Sequence, residues 1–221
     1  MGRMIGLPQV DPTVGDLTGN ALRLEQLALL ASQHGADVAV ATELAISGYP
    51  PRDLLLQDEF IRLAQETAIS LNVPLPVLVG TPLEAKADRQ LPSNGVVQAG
   101  SKDAVSNDGS SHILARKQLL PSYDVFDEAR YFQPDNRSGI ARTIAHLDLG
   151  VTVCEDAWQA AGLTPSAYSA DPIEHLAEWG RQGVQLDATV NLSASPYHAD
   201  KLSSRIHVCR TAARILNHPF L

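Results

Sequence analysis

The sequence predicts an α/β fold in which sheet packs on sheet between outer layers of helix. Three observations lead there. Apolar runs of strand length alternate with segments of helical period, as βα units do. Other apolar runs come in close pairs, which suits antiparallel hairpins and a second sheet. With 221 residues, 44% hydrophobic and 19% charged, the chain can bury a large core, and neither repeat nor linker divides it.

Arg3–Val10 reads as a first strand ended by Asp11-Pro12. Asp16 and Thr18 are candidate caps of a helix to about His34, with Leu17, Ala21, Leu24, Ala28 and Ala31 on its apolar face and Gly35 after its end. Asp37–Thr42 is a buried strand, and Glu43 follows it directly. Ser47-Gly-Tyr-Pro-Pro51 is irregular. A helical pattern returns over Leu54–Leu71, and Pro76–Gly80 is a third strand. Glu84–Leu91 is polar enough for a hairpin tip. Gly95–Ala99 and His112–Arg116 read as paired strands around the loop Lys102–Ser110. Lys117–Gln133 lacks clean periodicity, and long irregular stretches inside compact folds are often functional. Thr143–His146 and Gly150–Val153 read as a hairpin turning at Asp148-Leu-Gly150. Pro172–Arg181 is a helix, Leu186–Leu192 a strand, and His198–Leu216 a last helix.

Composition removes several function classes. A net charge of −8 without Lys or Arg runs argues against a nucleic-acid surface. No apolar stretch approaches the ~20 residues of a membrane span, and the amino terminus lacks the pattern of a secretory signal. Two distant cysteines make no disulfide framework, so a reducing cytoplasm is the expected setting. The seven histidines show no zinc-type spacing, and there is no CxxC, GxGxxG or Walker loop.

Three strand ends carry the chemistry. Gly150-Val-Thr-Val-Cys154-Glu-Asp-Ala-Trp158 delivers a thiol and then two carboxylates to the carboxyl end of a strand, the edge where open α/β sheets bind ligands. Glu43 and Lys117 are presented the same way. A carboxylate, an ammonium and a thiol on one sheet edge are the parts for acyl transfer through a thioester. Cys154 needs a base or a cation, because a free thiol with a pKa of ~8.5 is only a few per cent ionised at neutrality. Lys117 would ordinarily be a surface lysine, but if strand alternation holds its neighbours Arg116 and Gln118 suit the surface better. Cys209 falls on a stripe of Leu202, Ile206, Ala213 and Leu216, which predicts core packing. Lys201 and Arg205, beside that stripe, are either solvated or aimed at an anion over the sheet edge.

The segments Thr42-Glu-Leu-Ala-Ile-Ser-Gly-Tyr-Pro-Pro-Arg-Asp-Leu-Leu, Arg116-Lys-Gln-Leu-Leu-Pro-Ser-Tyr-Asp-Val-Phe-Asp-Glu-Ala-Arg-Tyr-Phe and Val153-Cys-Glu-Asp-Ala-Trp resemble the nitrilase (carbon–nitrogen hydrolase) superfamily. More narrowly, they are similar to the glutaminase domain of glutamine-dependent NAD⁺ synthetases, as are Gln9-Val-Asp-Pro-Thr-Val-Gly-Asp-Leu-Thr-Gly-Asn and Asn191-Leu-Ser-Ala-Ser-Pro-Tyr-His. The resemblance implies a four-layer αββα sandwich and a catalytic trio of Glu43, Lys117 and Cys154. It implies Tyr123, Ser195 and Lys201 as groups that bind glutamine, Glu128 as a buttress of Lys117, and Glu155 as a supporting carboxylate. No cofactor or metal is implied for the glutaminase reaction; ATP and Mg would belong to a separate synthetase domain, the expected partner in cis or in trans. Residues 1–221 would then be a carbon–nitrogen hydrolase domain whose last strands lie beyond Asn217–Leu221, with an open sheet edge that favours homo-oligomers. Two other readings stay open: a stand-alone hydrolase of another amide, and a catalytically silent interaction domain.

Overall fold

Alternation along one short strand decides the architecture. In β2 (Val38–Val40), Val38 and Val40 face one apolar cluster while Ala39 and the following Ala41 face another. A strand with both faces apolar needs a layer on each side. The computed structural model, which describes residues 3–87, 90–100, 112–136, 139–165 and 167–221 and only the backbone of residues 140–143, supplies both layers.

The first sheet joins β1 (Ile5–Gly6), β2, β3 (Val77–Leu83), β4 (Ser93–Ala99) and β5 (Ile113–Arg116) side by side in that order. Its first three strands are parallel, and β4 and β5 are antiparallel to their neighbours. The second sheet joins β6 (Gly139–Ile144), β7 (Leu147–Val153) and β8 (Ala188–Leu192), with β7 and β8 parallel. Helices α1 (Leu17–Gln33) and α2 (Asp58–Ile69) cover the outer face of the first sheet through Ala21, Leu24, Ala28, Ala64 and Ala68. Between the sheets, Val38, Val40, Leu78 and Val96 meet Leu149, Val151, Val153 and Val190. Helices α3 (Pro172–Arg181) and α4 (Lys201–Leu216) close the far side through Ile173, Leu176, Val208, Ala212 and Leu216. This is the predicted four-layer αββα sandwich.

Caps behave as their chemistry requires. The Asp16 side chain accepts the Gly19 N–H at 2.9 Å, so Asp16 caps α1 and Thr18 lies inside it. Asp171 caps α3 in the same way, with Pro172 at the first helical position where its missing N–H costs nothing. The last residues leave α4 and run beside β8, where Phe220 pairs with Thr189 in parallel.

Several sequence expectations are corrected. Only Ile5 and Gly6 of Arg3–Val10 pair, because β2 offers them two partners. The pattern over Leu54–Leu71 splits into a 3₁₀ turn (Arg52–Leu56) and α2, since Gln57 is extended. The hairpin between β6 and β7 turns at Ala145 and His146, with φ of +49° and +64°, and not at Asp148–Gly150, which lies within β7. A two-residue turn left-handed at both positions matches the twist of the strands it joins. Helix α4 starts at Lys201 and not at His198. Gln118, read as a surface residue, is buried. Cys209 is exposed, as are Leu202 and Ile206, because α4 turns Val208, Ala212 and Leu216 towards α3 instead. The loop Lys102–Ser110 and residues 88–89 of the hairpin tip lie outside the described residues.

Candidate active site

Glu43, Lys117 and Cys154 follow β2, β5 and β7, three strands whose carboxyl ends come together across the two sheets. All three side chains are buried, and Lys117 has no exposed surface at all. Its ammonium is 2.8 Å from the Glu43 carboxylate and 2.8 Å from that of Glu128. Burial alone would lower the Lys117 pKa, but Glu128 and then Glu43 together outweigh it and hold the ammonium well above its usual range. Lys117 is therefore a fixed positive charge.

Glu43 is held from three directions. One oxygen accepts the Lys117 ammonium and the Asn94 amide at 2.8 Å each, and the other accepts the Ala194 N–H at 3.0 Å. The backbone at Glu43 crosses β3 at Gly80, where a Cβ would fall 2.4 Å from the Thr42 carbonyl oxygen and 2.7 Å from the Glu43 Cα. Only glycine permits that approach.

Cys154 opens a 3₁₀ turn (Cys154–Ala157) with φ of +46°, a left-handed conformation that is costly for a residue with a side chain. Asn191 donates to its carbonyl at 3.3 Å, and the Ser193 hydroxyl donates to its sulfur at 3.4 Å. Burial and then the negative charge of Glu43 push the thiol pKa up, while Lys117 and Ser193 pull against them. The balance favours the thiol over the thiolate.

Glu128 accepts the Tyr49 hydroxyl at 2.9 Å as well as Lys117, and burial raises its pKa against the pull of that ammonium. Glu155 points to a different side, where it accepts Tyr123 Oη at 2.8 Å and Tyr168 Oη at 3.4 Å. Burial raises its pKa too, opposed by Tyr123 and by the positive charges of Lys117 and Lys201. Lys201 sits with its ammonium 4.4 Å from the centre of the Trp158 ring. Ser195 is engaged by Arg205, which donates to its hydroxyl at 2.9 Å and to its carbonyl at 2.8 Å.

The predicted residues thus fall into two groups. Glu43, Lys117 and Glu128 are joined in one buried cluster with Cys154 buried beside them, while Tyr123 and the equally buried Glu155 form a second hydrogen-bonded group and Lys201 lies over Trp158. Ser195 faces Arg205, and it is Ser193 that reaches the thiol. Asn94, Ser193, Tyr49 and Tyr168 were not singled out in the sequence, and Asp156 was noted only as the second carboxylate after Cys154. A polar side chain inside a fully buried strand is the signal that marks Asn94.

No family model matches the chain. Curated relatives do: a protein from Synechocystis sp. named glutamine-dependent NAD(+) synthetase is 36% identical over 98% of this chain and 38% of its own length. The chain spans between 31% and 38% of the length of that relative and a second one so named, from Thermotoga maritima. Among solved structures, the ADP complex of a glutamine-dependent NAD⁺ synthetase from Acinetobacter baumannii matches with a TM-score of 0.75 at 24% identity, over 98% of this chain and 37% of that one. An amidase of the nitrilase superfamily from Nesterenkonia matches with a TM-score of 0.69 at 18% identity, over 96% and 72%. At those identities the two structures speak to fold, and the fold is that of the nitrilase superfamily. Over nearly its whole length the chain is similar to one stretch of proteins named glutamine-dependent NAD(+) synthetase.

Proposed function

We propose that this chain hydrolyses the side-chain amide of glutamine through a γ-glutamyl thioester on Cys154, supplying ammonia to an NAD⁺ synthetase domain in cis or in trans. The observation that carries it is the buried cluster of Glu43, Lys117 and Glu128 around the thiol end of β7. Lys117 balances only one of its two carboxylates, so the thiol stays protonated until a base removes the proton. Glu43 is that base. The Cys154 sulfur then attacks the amide carbon, and the oxygen that becomes negative is held by Lys117 Nζ and the N–H of Glu155. Removing one such donor commonly costs about 100- to 1,000-fold in rate. The proton on Glu43 passes to the departing nitrogen as the C–N bond breaks and ammonia leaves. Glu43 next takes a proton from water, hydroxide adds to the thioester, and the C–S bond breaks to release glutamate and the thiol.

Glutamine is a zwitterion at its α-carbon. Glu155, with Tyr123 and Tyr168, offers a carboxylate and hydroxyls to an α-ammonium, and Lys201 offers a cation to an α-carboxylate. Ser195 accepts from Arg205 and keeps its own O–H to donate to that α-carboxylate.

The test is the intact mass of the chain after treatment with a chloroketone analogue of glutamine, with Cys154→Ala as control and circular dichroism to confirm the fold. A single adduct that requires Cys154 and is prevented by excess glutamine is the expected result. A folded chain that forms no adduct overturns the reading. Protection by a simple aliphatic amide but not by glutamine would turn it towards a stand-alone amidase, the function in the name of the Nesterenkonia relative.

A further inference from the structure

Gln118 and Leu119 follow Lys117, and Val153 precedes Cys154. The backbone N–H groups of all three end on one carboxylate. Asp156, 2% exposed, accepts Gln118 at 3.0 Å and Leu119 at 2.9 Å through Oδ1, and Val153 at 3.0 Å through Oδ2. These bonds cross between the sheets, since Lys117 leaves β5 of the first and Cys154 leaves β7 of the second. We propose that Asp156 is a positioning residue that sets the spacing between the Lys117 ammonium and the Cys154 sulfur, and so the geometry in which the amide oxygen is stabilised. This inference rests on the proposed function above.

Three features separate this role from that of a buried turn cap. A cap for the 3₁₀ turn at Cys154–Ala157 needs only the Val153 N–H, whereas two of the three donors come from residues 37 and 38 positions away. Both peptide N–H groups that follow Lys117 are taken, which fixes the path on which its side chain starts. The Val153 bond fixes the residue just before a left-handed Cys154, where a small shift would swing the sulfur. Reacting groups displaced by about 1 Å can lose on the order of 100-fold in rate.

The donors also define the chemistry. Three N–H groups divided over two oxygens require acceptors on both sides, which a carboxylate supplies. Burial pushes the Asp156 pKa up to about 7, and these three hydrogen bonds pull it back towards the ionised form. In Asp156→Asn only one oxygen remains. Whichever way the amide turns, its NH₂ meets either Val153 or the Gln118–Leu119 pair, donor against donor. Shape is kept and the link between the two loops is broken on one side.

The experiment follows inactivation of the chain by the glutamine chloroketone, separating the limiting rate from the concentration that half-saturates it. Asp156→Asn is expected to slow the limiting rate by roughly 100-fold, with the half-saturating concentration within about threefold of native, because Tyr123, Glu155 and Lys201 are untouched. A merely structural role would move both together, or neither. Should Asp156→Asn fail to fold, Leu119 replaced by its α-hydroxy acid deletes one donor and keeps the side chain, and a smaller loss with the same split is expected. A folded Asp156→Asn variant with the native rate overturns the inference, as does a native rate in the ester variant or a parallel loss of rate and affinity in either. A native chain that does not react at Cys154 removes the proposed function and this inference together, whereas a reactive native chain with an unaltered variant removes this inference alone.

Discussion

The floor of the site and its mouth are built to different standards. On the floor, Glu43, Lys117, Glu128, Cys154 and Asp156 are all 5% exposed or less. Glu43, Lys117, Cys154 and Asp156 follow strand ends of the two sheets, and Glu128 opens a 3₁₀ turn (Glu128–Arg130) beside them. At the mouth, the segment from Ser193 to Lys201 carries Tyr197 at 83% exposure and a left-handed Asp200, and its Ser195 accepts from the exposed Arg205. Alignment of the reacting groups is therefore set by folding, whereas recognition of the substrate must be completed when it binds. Ordering a loop draws on binding energy, so the two regions should respond to substitution in different currencies: stability and rate for the floor, affinity for the mouth.

Lys117→Met should have the largest effect. It leaves Glu43 and Glu128 buried without their cation, and breaking a buried pair in this way costs about 3–5 kcal/mol. Reactivity at Cys154 should be lost with it. The pH dependence has a definite sign. Burial already raises the Glu128 pKa while Lys117 opposes it. Without Lys117 the folded value rises further, so the folded variant binds a proton that the unfolded chain releases. The deficit against native should then shrink as pH falls from 8 towards 5. Urea denaturation of both proteins at the two pH values measures this, and an equal deficit at both would mean that Glu128 is not the group left stranded.

Glu43 and Cys154 were legible in the sequence for a simple reason. An apolar run that stops at polar residues has to deliver them to the end of a strand, and Val38–Ala41 before Thr42 and Glu43 and Val151–Val153 before Cys154 do so. Helix α3 was legible to the residue because Asp171 and Pro172 punctuate its start. Asn94 was not. Ser93-Asn94-Gly95 looks like turn chemistry, yet it lies in fully buried β4, where Asn94 serves Glu43 from 51 residues away. Ser193 was hidden for the same reason, and Asp156, visible as the second carboxylate after Cys154, has two of its three partners 37 and 38 residues away, which no periodicity announces. Ser195 attracted attention by its motif, but the chain path gives Ser193 the contact with the sulfur.

Lys201→Ala tests the other region. Its side chain lies over Trp158 and makes no salt bridge among the described residues, so the melting temperature should barely move. The concentration of chloroketone needed for half-saturation should rise about tenfold, the equivalent of roughly 1.4 kcal/mol, with the limiting rate little changed. A fall in limiting rate with unchanged half-saturation would place Lys201 on the floor after all and dissolve the distinction.

Cys209→Ser should have the smallest effect, and it decides between two readings of α4. Leu202, Ile206, Cys209, Ala213 and Leu216 make a plausible stripe, but so do Val208, Ala212, Ile215 and Leu216, and only the position of α3 selects between them. With Cys209 exposed, a hydroxyl in place of its thiol should alter stability by no more than about 0.5 kcal/mol and leave the reaction of Cys154 with the chloroketone unchanged. A loss of several times that size would return Cys209 to the core. The same variant isolates Cys154 for alkylation by iodoacetamide. An acid whose pKa is raised is more protonated at any given pH, and burial with Glu43 raises that of Cys154. Its alkylation should thus keep accelerating above pH 9, beyond the ~8.5 of a free thiol. A plateau below pH 8 would instead mean a thiolate already paired with Lys117, and Glu43 would lose its part in the first proton transfer.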